Sequence, residues 1–171
     1  MSISMYQASI PVLIRGLENL SHILDKGAAH AEAKKLDPSV FITARLYPDM
    51  FALARQVQIA SDTAKGAASR LSGIENPSYA DTEATFPELQ QRIAKTIDFL
   101  KSIKPEQIDG SEQKAVVLPT RSKGDIHFTG ENYLFQQALP NFFFHVTTAY
   151  AILRHNGVEI VKWDYYGSFN H

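Results

Sequence analysis

The chain has 171 residues, of which 44% are hydrophobic and 20% charged, with 17 basic and 18 acidic side chains and no cysteine. This length predicts a single domain, residues 1–171, that is large enough to fold around its own core. The lack of cysteine excludes a disulfide-rich fold and a zinc site built on thiolates.

The charge pattern and the hydropathy pattern limit the partners. The formal net charge is −1 and the basic residues are scattered, so we expect no nucleic acid partner. No uninterrupted apolar run approaches the roughly 20 residues that span a bilayer, and the N-terminus lacks the basic region of a signal peptide. We therefore expect no membrane partner and a cytoplasmic location.

The first predicted element is a helix. Apolar side chains recur at steps of three and four between Ile10 and Leu24, which is typical of one helical face. We expect this helix one to end near Gly27. Pro11 allows two interpretations: it lies in the first turn, or it kinks a helix that begins near Ser4.

Helix two follows a short helix that Asp37 and Pro38 introduce. Its predicted start is Tyr47-Pro48-Asp49 and its predicted end is Gly73. The side chains expected on its inner face are Met50, Leu53, Val57, Ala60, Ala64, Ala67, Ala68 and Leu71.

A polar connection and helix three come next. Segment 73–85 is long enough to carry the chain to a position that is not adjacent. Thr85 and Glu88 form a capping-box pattern. The predicted inner face of helix three consists of Phe86, Leu89, Ile93, Ile97 and Leu100.

The remaining pattern predicts a small β-hairpin and a fourth helix. Residues 116–118 and 126–128 alternate as short strands around a turn at 119–124, with His127 on the polar face. Thr129 is the predicted cap of helix four, and Pro140 should kink this helix. Its apolar stripe is Leu134, Ala138, Phe142, His145, Ala149 and Ile152, and Asn156-Gly157 ends it.

Four long helices joined by one long crossover predict an all-α four-helix bundle. The tail, residues 158–171, is rich in aromatic side chains. We expect it to pack across one end of the bundle, and the alternative is a contact between copies of the chain.

His145 is the residue that breaks the apolar pattern of helix four. A buried imidazole needs partners for its ring nitrogens, so His145 is either a core histidine bonded to a neighbouring helix or a metal ligand or general base. A second ligand on the same face would fall at Ala149. His155 lies about 15 Å further along the helix and cannot share an ion with His145.

Helix two supplies no histidine to this site. Asp49, Gln56, Gln58 and Asp62 are predicted near its inner face, and Gln56 could turn inward or lie on a solvated flank. The other histidines, His22, His30, His127 and His171, are expected at the surface, and His155 is expected near the last carbonyls of helix four.

Other catalytic motifs are missing from the sequence. It has no Gly-rich phosphate loop, no Gly-x-Ser-x-Gly elbow and no His-Glu-x-x-His motif. Nucleotide-driven chemistry and an α/β-hydrolase are therefore disfavoured.

Three segments carry a family resemblance. Ala138–Gly157 (ALPNFFFHVTTAYAILRHNG), Tyr47–Met50 and Arg55–Ala60 resemble a bacterial branch, of unknown function, of the DinB/YfiT-like superfamily. The resemblance covers nearly the whole chain. It implies an up-down-down-up four-helix bundle with a long connection between helices two and three, and a homodimer.

The resemblance also implies a metal site that this chain retains only in part. Better understood members hold a divalent metal with one histidine from helix two and two from helix four, and some transfer low-molecular-weight thiols. His145 resembles the first helix-four ligand, Ala149 replaces the second, and the helix-two position falls near Gln56.

Two hypotheses follow from these residues. In the first, His145 acts as base or single ligand, with Gln56 and Asp49 or Asp62 completing the site. A thiol transferase would then need a cation such as nickel, zinc or iron. In the second, His145 and Gln56 form a buried polar pair in a bundle that binds a small molecule or self-associates. The missing ligands favour the second hypothesis, a degenerate site that is not a standard three-histidine metalloenzyme.

Overall fold

The computed structural model describes residues 3–120 and 122–169, so His171 and Arg121 of the predicted turn lie outside it. The fold is mostly helical, with one antiparallel hairpin of β1 (Ala115–Thr120) and β2 (Gly124–Thr129). The long helices are α1 (Met5–Lys34), α3 (Leu53–Ser72), α4 (Phe86–Ser102) and α7 (Leu139–His155). The short helices are α2 (Ser39–Ile42), α5 (Pro105–Ile108), α6 (Gly130–Tyr133) and α8 (Lys162–Tyr166), and Leu134–Ala138 forms a π-helical turn.

Helix α1 begins at Met5, next to Ser4, as the second interpretation of Pro11 predicts, and it ends later than predicted. The Ser4 hydroxyl caps it by accepting from the Gln7 amide, so Pro11 lies inside the helix rather than in its first turn. The predicted end at Gly27 is wrong, and the helix continues to Lys34. A Cβ atom at Gly27 would lie 3.2 Å from Leu153 and from Phe86. The glycine therefore permits close helix packing instead of ending the helix.

Helix α3 begins later than predicted. Segment 47–50 forms a turn in which the Met50 amide donates to the Tyr47 carbonyl, and the helix starts at Leu53. The predicted start at Tyr47-Pro48-Asp49 is therefore wrong, and Met50 is not on the helical face. Gly73 ends the helix in the left-handed conformation at φ 85°. The other predicted inner-face residues are buried: Leu53, Val57, Ala60, Ala64, Ala67, Ala68 and Leu71.

Helix α4 agrees with the sequence pattern, and the predicted hairpin is present, but its strands extend into the predicted turn at Pro119, Thr120 and Gly124. The Thr85 hydroxyl accepts from the Glu88 amide, and the Glu88 carboxylate accepts from the amide of Ala84. In the hairpin, Val117 pairs with His127, which is exposed as expected. The predicted inner-face residues of helix three are all buried: Phe86, Leu89, Ile93, Ile97 and Leu100.

The last helical segment changes type along its length. Thr129 caps α6 by accepting from the Asn132 amide, and the π-helical turn then precedes Pro140, which lies in the first turn of α7. A proline ring lacks an N–H and would clash with the carbonyl four residues earlier in a regular α-helix. The predicted kink thus corresponds to a change in helix type. Gly157, at φ 90°, follows the helix end.

The connection between α3 and α4 runs back along α3. Asn76 accepts from Lys65 Nζ, Glu83 accepts from the Gln58 amide, and Asp81 pairs with Arg55. The two later contacts therefore lie nearer the start of α3 than the first contact does. This path delivers the chain to Thr85, where α4 begins.

Arg92 holds this connection against α3 and α4. Its side chain is almost fully buried and forms ion pairs with Asp62 at 2.7 Å, Asp81 at 3.0 Å and Glu83 at 3.0 Å. It also donates to the carbonyl of Ala80. One buried cation thus joins the α3 helix to the connecting segment.

The tail packs along the side of α1, and the expectation that it crosses one end of the bundle is wrong. Arg15 donates to the Tyr166 carbonyl at 2.8 Å, and Asn19 donates to the Tyr165 carbonyl at 2.9 Å. Lys26 pairs with Asp164 at 2.8 Å. These three α1 residues lie at one-turn or two-turn intervals, so α8 follows the middle of the helix.

Within residues 3–120 and 122–169, every helix is either too short or too polar to cross a bilayer.

Candidate functional site

The site is built around His145, which α7 directs into the protein interior. The residue is 7% exposed and lies on the same helical face as Phe142, Ala149 and Ile152, all of which are buried. Its Nδ1 atom lies 2.7 Å from Oε1 of Gln56 on α3. The structure therefore brings together the two polar residues that the sequence placed on facing helices.

The orientation of the Gln56 amide sets the tautomer of His145. Gln56 Nε2 donates to the Phe51 carbonyl at 2.9 Å, so Oε1 is the atom that faces the imidazole. An amide oxygen only accepts hydrogen bonds, and His145 Nδ1 must therefore carry the proton. The lone pair of the neutral ring is then on Nε2.

The electrostatic surroundings keep His145 uncharged. Burial, together with the smaller effect of the positive charge of Arg55, lowers its pKa from the ordinary 6.5 to about 4. Arg55 itself pairs with Asp81 and donates to Gln58 Oε1 at 3.1 Å. At neutral pH the site therefore holds an imidazole and not an imidazolium.

The second ring nitrogen is available to a ligand. Nε2 makes no hydrogen bond to any residue within 3–120 or 122–169, and this atom is not fully buried. The ring of Phe144, which is largely exposed, meets the imidazole edge to face at 5.1 Å. Nε2 thus reaches solvent beside an exposed aromatic side chain.

The other predicted site residues lie elsewhere. Asp49 is exposed in the segment before α3. Asp62 pairs with Arg92 and with Lys65 on another face of α3. Ala149 is fully buried one turn beyond His145. The structure therefore brings only Gln56 of these residues into contact with the imidazole.

The residues around His145 do not fit a three-ligand metal centre. In the part of the chain that the structure describes, no group of three or more His, Cys, Asp or Glu side chains is arranged to hold a metal ion. The amide oxygen of Gln56 already accepts from the ring. The nearby charge of Arg55 opposes the approach of a cation.

Two contributors to the site were not predicted from the sequence. The Phe51 carbonyl fixes the Gln56 amide, but a main-chain acceptor has no sequence signature. Arg55 affects the pKa of His145, and its position directly before Gln56 was the available signal.

The histidines expected at the surface differ in their surroundings. His22 is exposed and lies 3.2 Å from Asp164. His30 is half-buried, because its ring packs against Phe41 at 5.8 Å between centroids. His127 and His155 are exposed, and none of these rings contacts His145 among the described hydrogen bonds and ring pairs.

Comparison with known proteins identifies the family. Residues 5–166 match the domain of unknown function DUF1993. A crystal structure of a DinB family member from Shewanella denitrificans is similar at 40% sequence identity and a TM-score of 0.91, covering 97% of this chain and 93% of that chain. A search of curated proteins found none that matches. The protein thus belongs to the DUF1993 family and is a DinB-like helical protein.

Proposed function

We propose that this DUF1993 protein works without the three-histidine metal centre of its superfamily and binds a small polar molecule through His145. The observation that carries this proposal is the 2.7 Å hydrogen bond between His145 Nδ1 and Gln56 Oε1. It fixes a neutral ring whose Nε2 lone pair accepts a hydrogen bond from the bound molecule.

The low basicity of His145 favours binding over proton transfer. An efficient general base has a pKa near the working pH, whereas the pKa of His145 is lowered to about 4. Such an imidazole holds a proton poorly at neutral pH but still accepts a hydrogen bond. This supports a ligand-binding role in which Nε2 orients a hydroxyl or an N–H group.

Metal-dependent transfer of a low-molecular-weight thiol has less support. That chemistry needs a cation to lower the pKa of the thiol. The described surroundings of His145 offer one imidazole, an amide whose oxygen is already bonded, and the buried Ala149.

Elemental analysis of protein purified without a histidine tag tests the proposal, with the His145→Ala variant analysed in parallel. We expect less than a tenth of an equivalent of nickel, zinc or iron in both proteins. Near-stoichiometric metal that disappears in the variant would overturn the proposal and restore the thiol-transferase hypothesis.

The tautomer is tested separately by the ¹⁵N chemical shifts of the imidazole. At pH 7 we expect the Nδ1–H form of His145, with Nε2 unprotonated. Gln56→Glu is the matched variant, because a carboxylate in place of the amide should raise the pKa of His145. An Nε2–H form in the wild-type protein would contradict the assigned hydrogen-bond direction.

We also propose that the long helices α1, α3, α4 and α7 run up, down, down and up. Paired contacts along α1 support the parallel arrangement of α1 and α7. Gly16 faces Phe142, and Gly27 faces Leu153, so position along both helices increases together. Gly27 also faces Phe86 at the start of α4.

Contacts between α3 and α7 support an antiparallel arrangement of these two helices. Gln56 bonds to His145, whereas Thr63 accepts from Asn141, so one numbering rises as the other falls. Because the chain has no natural cysteine, single disulfides engineered between facing helix positions test this order. Failure of these pairs to cross-link in folded protein would contradict it.

Self-association is a second candidate property. Trp163 and Phe169 are 63% and 50% exposed, and the Trp163 ring packs edge to face with the rings of Phe169 and Tyr166. Such exposed aromatic clusters are enriched at protein interfaces. Sedimentation velocity should show a homodimer that the double variant Trp163→Ser, Phe169→Ser converts to monomer.

A further inference from the structure

A second concave site lies on the opposite side of α7 from the contact with α3, between α1, α7 and the tail. Its volume is about 340 Å³, and its walls include Val12, Gly16, Phe143, Val146 and Tyr165. These walls are mainly apolar. A cavity of about 150 Å³ lined by such side chains is enough to hold a benzene-sized molecule, so the groove has room for an aromatic ring.

Arg15 is the charged residue among the described lining of this groove. Its Nη2 atom donates to the Tyr166 carbonyl at 2.8 Å and to the Ser168 carbonyl at 3.3 Å. The Phe169 ring covers the guanidinium at 5.0 Å. Arg15 is thereby held at the edge of the groove by main-chain oxygens.

The positive charge of Arg15 has no carboxylate partner among residues 3–120 and 122–169. Within those ranges, its Nη1 and Nε atoms also make no hydrogen bond. The two groups point in different directions, because Nη1 lies on the same side of the Nε–Cζ bond as Cδ whereas the Nε hydrogen points to the opposite side. Nη1 can therefore donate a charge-assisted hydrogen bond to one oxygen of a carboxylate.

We propose that the groove binds a small aromatic monocarboxylate. The carboxylate accepts a hydrogen bond from Nη1 of Arg15, and the ring packs against Val12, Phe143 and Val146. One cation in an apolar groove matches a ligand with one negative charge and one apolar group. The site shares no residue with the His145 site and does not depend on the function proposed there.

Methyl NMR titration with phenylacetate tests the proposal. We expect saturable shifts of the Val12 and Val146 methyl groups. Two comparison probes separate the contributions: 2-phenylethanol lacks the charge, acetate lacks the ring, and each should bind at least tenfold more weakly. Equal binding of phenylacetate and 2-phenylethanol, or no saturable shift at these methyls, would overturn the proposal.

Two groove variants and two controls complete the experiment. Arg15→Gln should weaken phenylacetate binding at least tenfold, and Val12→Phe should abolish it by filling the groove while leaving Arg15 in place. Arg154→Gln removes an exposed arginine elsewhere, and His145→Ala removes the other site, so both should bind as the wild type does. Loss of binding in His145→Ala, with both groove variants unaffected, would assign the ligand to the His145 site.

A second copy of the chain is the competing occupant of the groove. The wild-type spectrum is therefore recorded over a range of protein concentrations without ligand. We expect the Val12 and Val146 methyl shifts to stay constant. Concentration-dependent shifts that phenylacetate fails to reverse would show that another protein molecule fills the groove, and would overturn the proposal.

Discussion

His145 and Gln56 are each other's buried polar partners, with Nδ1 and Oε1 separated by 2.7 Å. Only 7% of His145 and 2% of Gln56 are exposed. If either side chain is removed, bulk water therefore does not readily take its place as the hydrogen-bond partner of the other. The hydrogen bond joins the middle of α7 to the first turn of α3. Its loss should therefore affect the stability of the fold as well as the chemistry of the site.

Replacing His145 by alanine should lower the free energy of unfolding by about 1–3 kcal/mol, because the Gln56 amide oxygen loses its partner. Urea denaturation measures the change. His127→Ala, on the exposed face of the hairpin, is the matched control and should be neutral. A double-mutant cycle with Gln56→Ala should show coupling between the two positions, and strictly additive effects would contradict the pairing.

The stability of the protein should fall on acidification as His145 is forced to take up a proton. In the unfolded chain His145 has its ordinary pKa of 6.5 and takes up a proton below that pH. In the folded protein its pKa is about 4, so it stays neutral to a lower pH. Stability that is present above pH 6.5 is therefore lost as the pH falls toward 4. The loss amounts to about 3 kcal/mol.

The His145→Gln variant isolates this effect from the other acidic groups. Urea midpoints are measured for both proteins between pH 7 and pH 4. The difference in unfolding free energy between wild type and variant should change across this range in the predicted direction. Parallel pH profiles would mean that the imidazole is not desolvated.

Replacing Arg92 by methionine should destabilise the protein by about 1.5–3 kcal/mol, because partly exposed carboxylates lose the buried cation that they share. Asp62, Asp81 and Glu83 all pair with this arginine. Hydrogen exchange should also become faster in segment 73–85. Lys95→Met is the control, since Lys95 covers the Tyr79 ring at 4.1 Å without joining these ion pairs. Unchanged exchange in the Arg92 variant would show that the connection is held by other contacts.

Two glycines within helices should respond differently to alanine. A Cβ atom at Gly16 would lie 2.4 Å from the Phe142 ring, whereas at Gly66 it would meet the far end of the Arg70 side chain. We expect Gly16→Ala to cost about 1–3 kcal/mol through overpacking. Gly66→Ala should be neutral or stabilising by up to about 1 kcal/mol, because alanine favours the helix.

Thermal unfolding of both variants checks this contrast. Adding Phe142→Leu to Gly16→Ala should restore part of the lost stability by making room for the methyl group. An equal loss in the two single variants would show that backbone propensity, rather than the contact between α1 and α7, determines the effect.

Local patterns predicted the elements that local forces determine. The Thr85 and Glu88 capping pattern and the apolar period after it located α4, because capping and amphipathicity act within one helix. Gly27 misled the prediction for the opposite reason. Leu153 and Phe86, which are distant in the sequence, pack against Gly27 where a side chain would otherwise lie.

The candidate site was predictable to the same extent. His145 was recognisable as a polar break in an apolar stripe. For Gln56 the sequence left both an inward position and a solvated flank open, and the structure has the inward one. The sequence could not give the Phe51 carbonyl that orients the amide, or the path of the connection that brings Asp81 to Arg92. Both depend on where the backbone passes in three dimensions.

The π-helical turn Leu134–Ala138 has a consequence for how the last helical segment varies among relatives. A π-helical turn accommodates one more residue than the same length of α-helix. Residues before and after it therefore follow two separate helical wheels, rotated by about one residue position. Relatives that lack this residue should keep Tyr133 and His145 in their buried positions through a one-residue gap inside the turn. Alignments that place the gap elsewhere would move His145 off the face that meets Gln56.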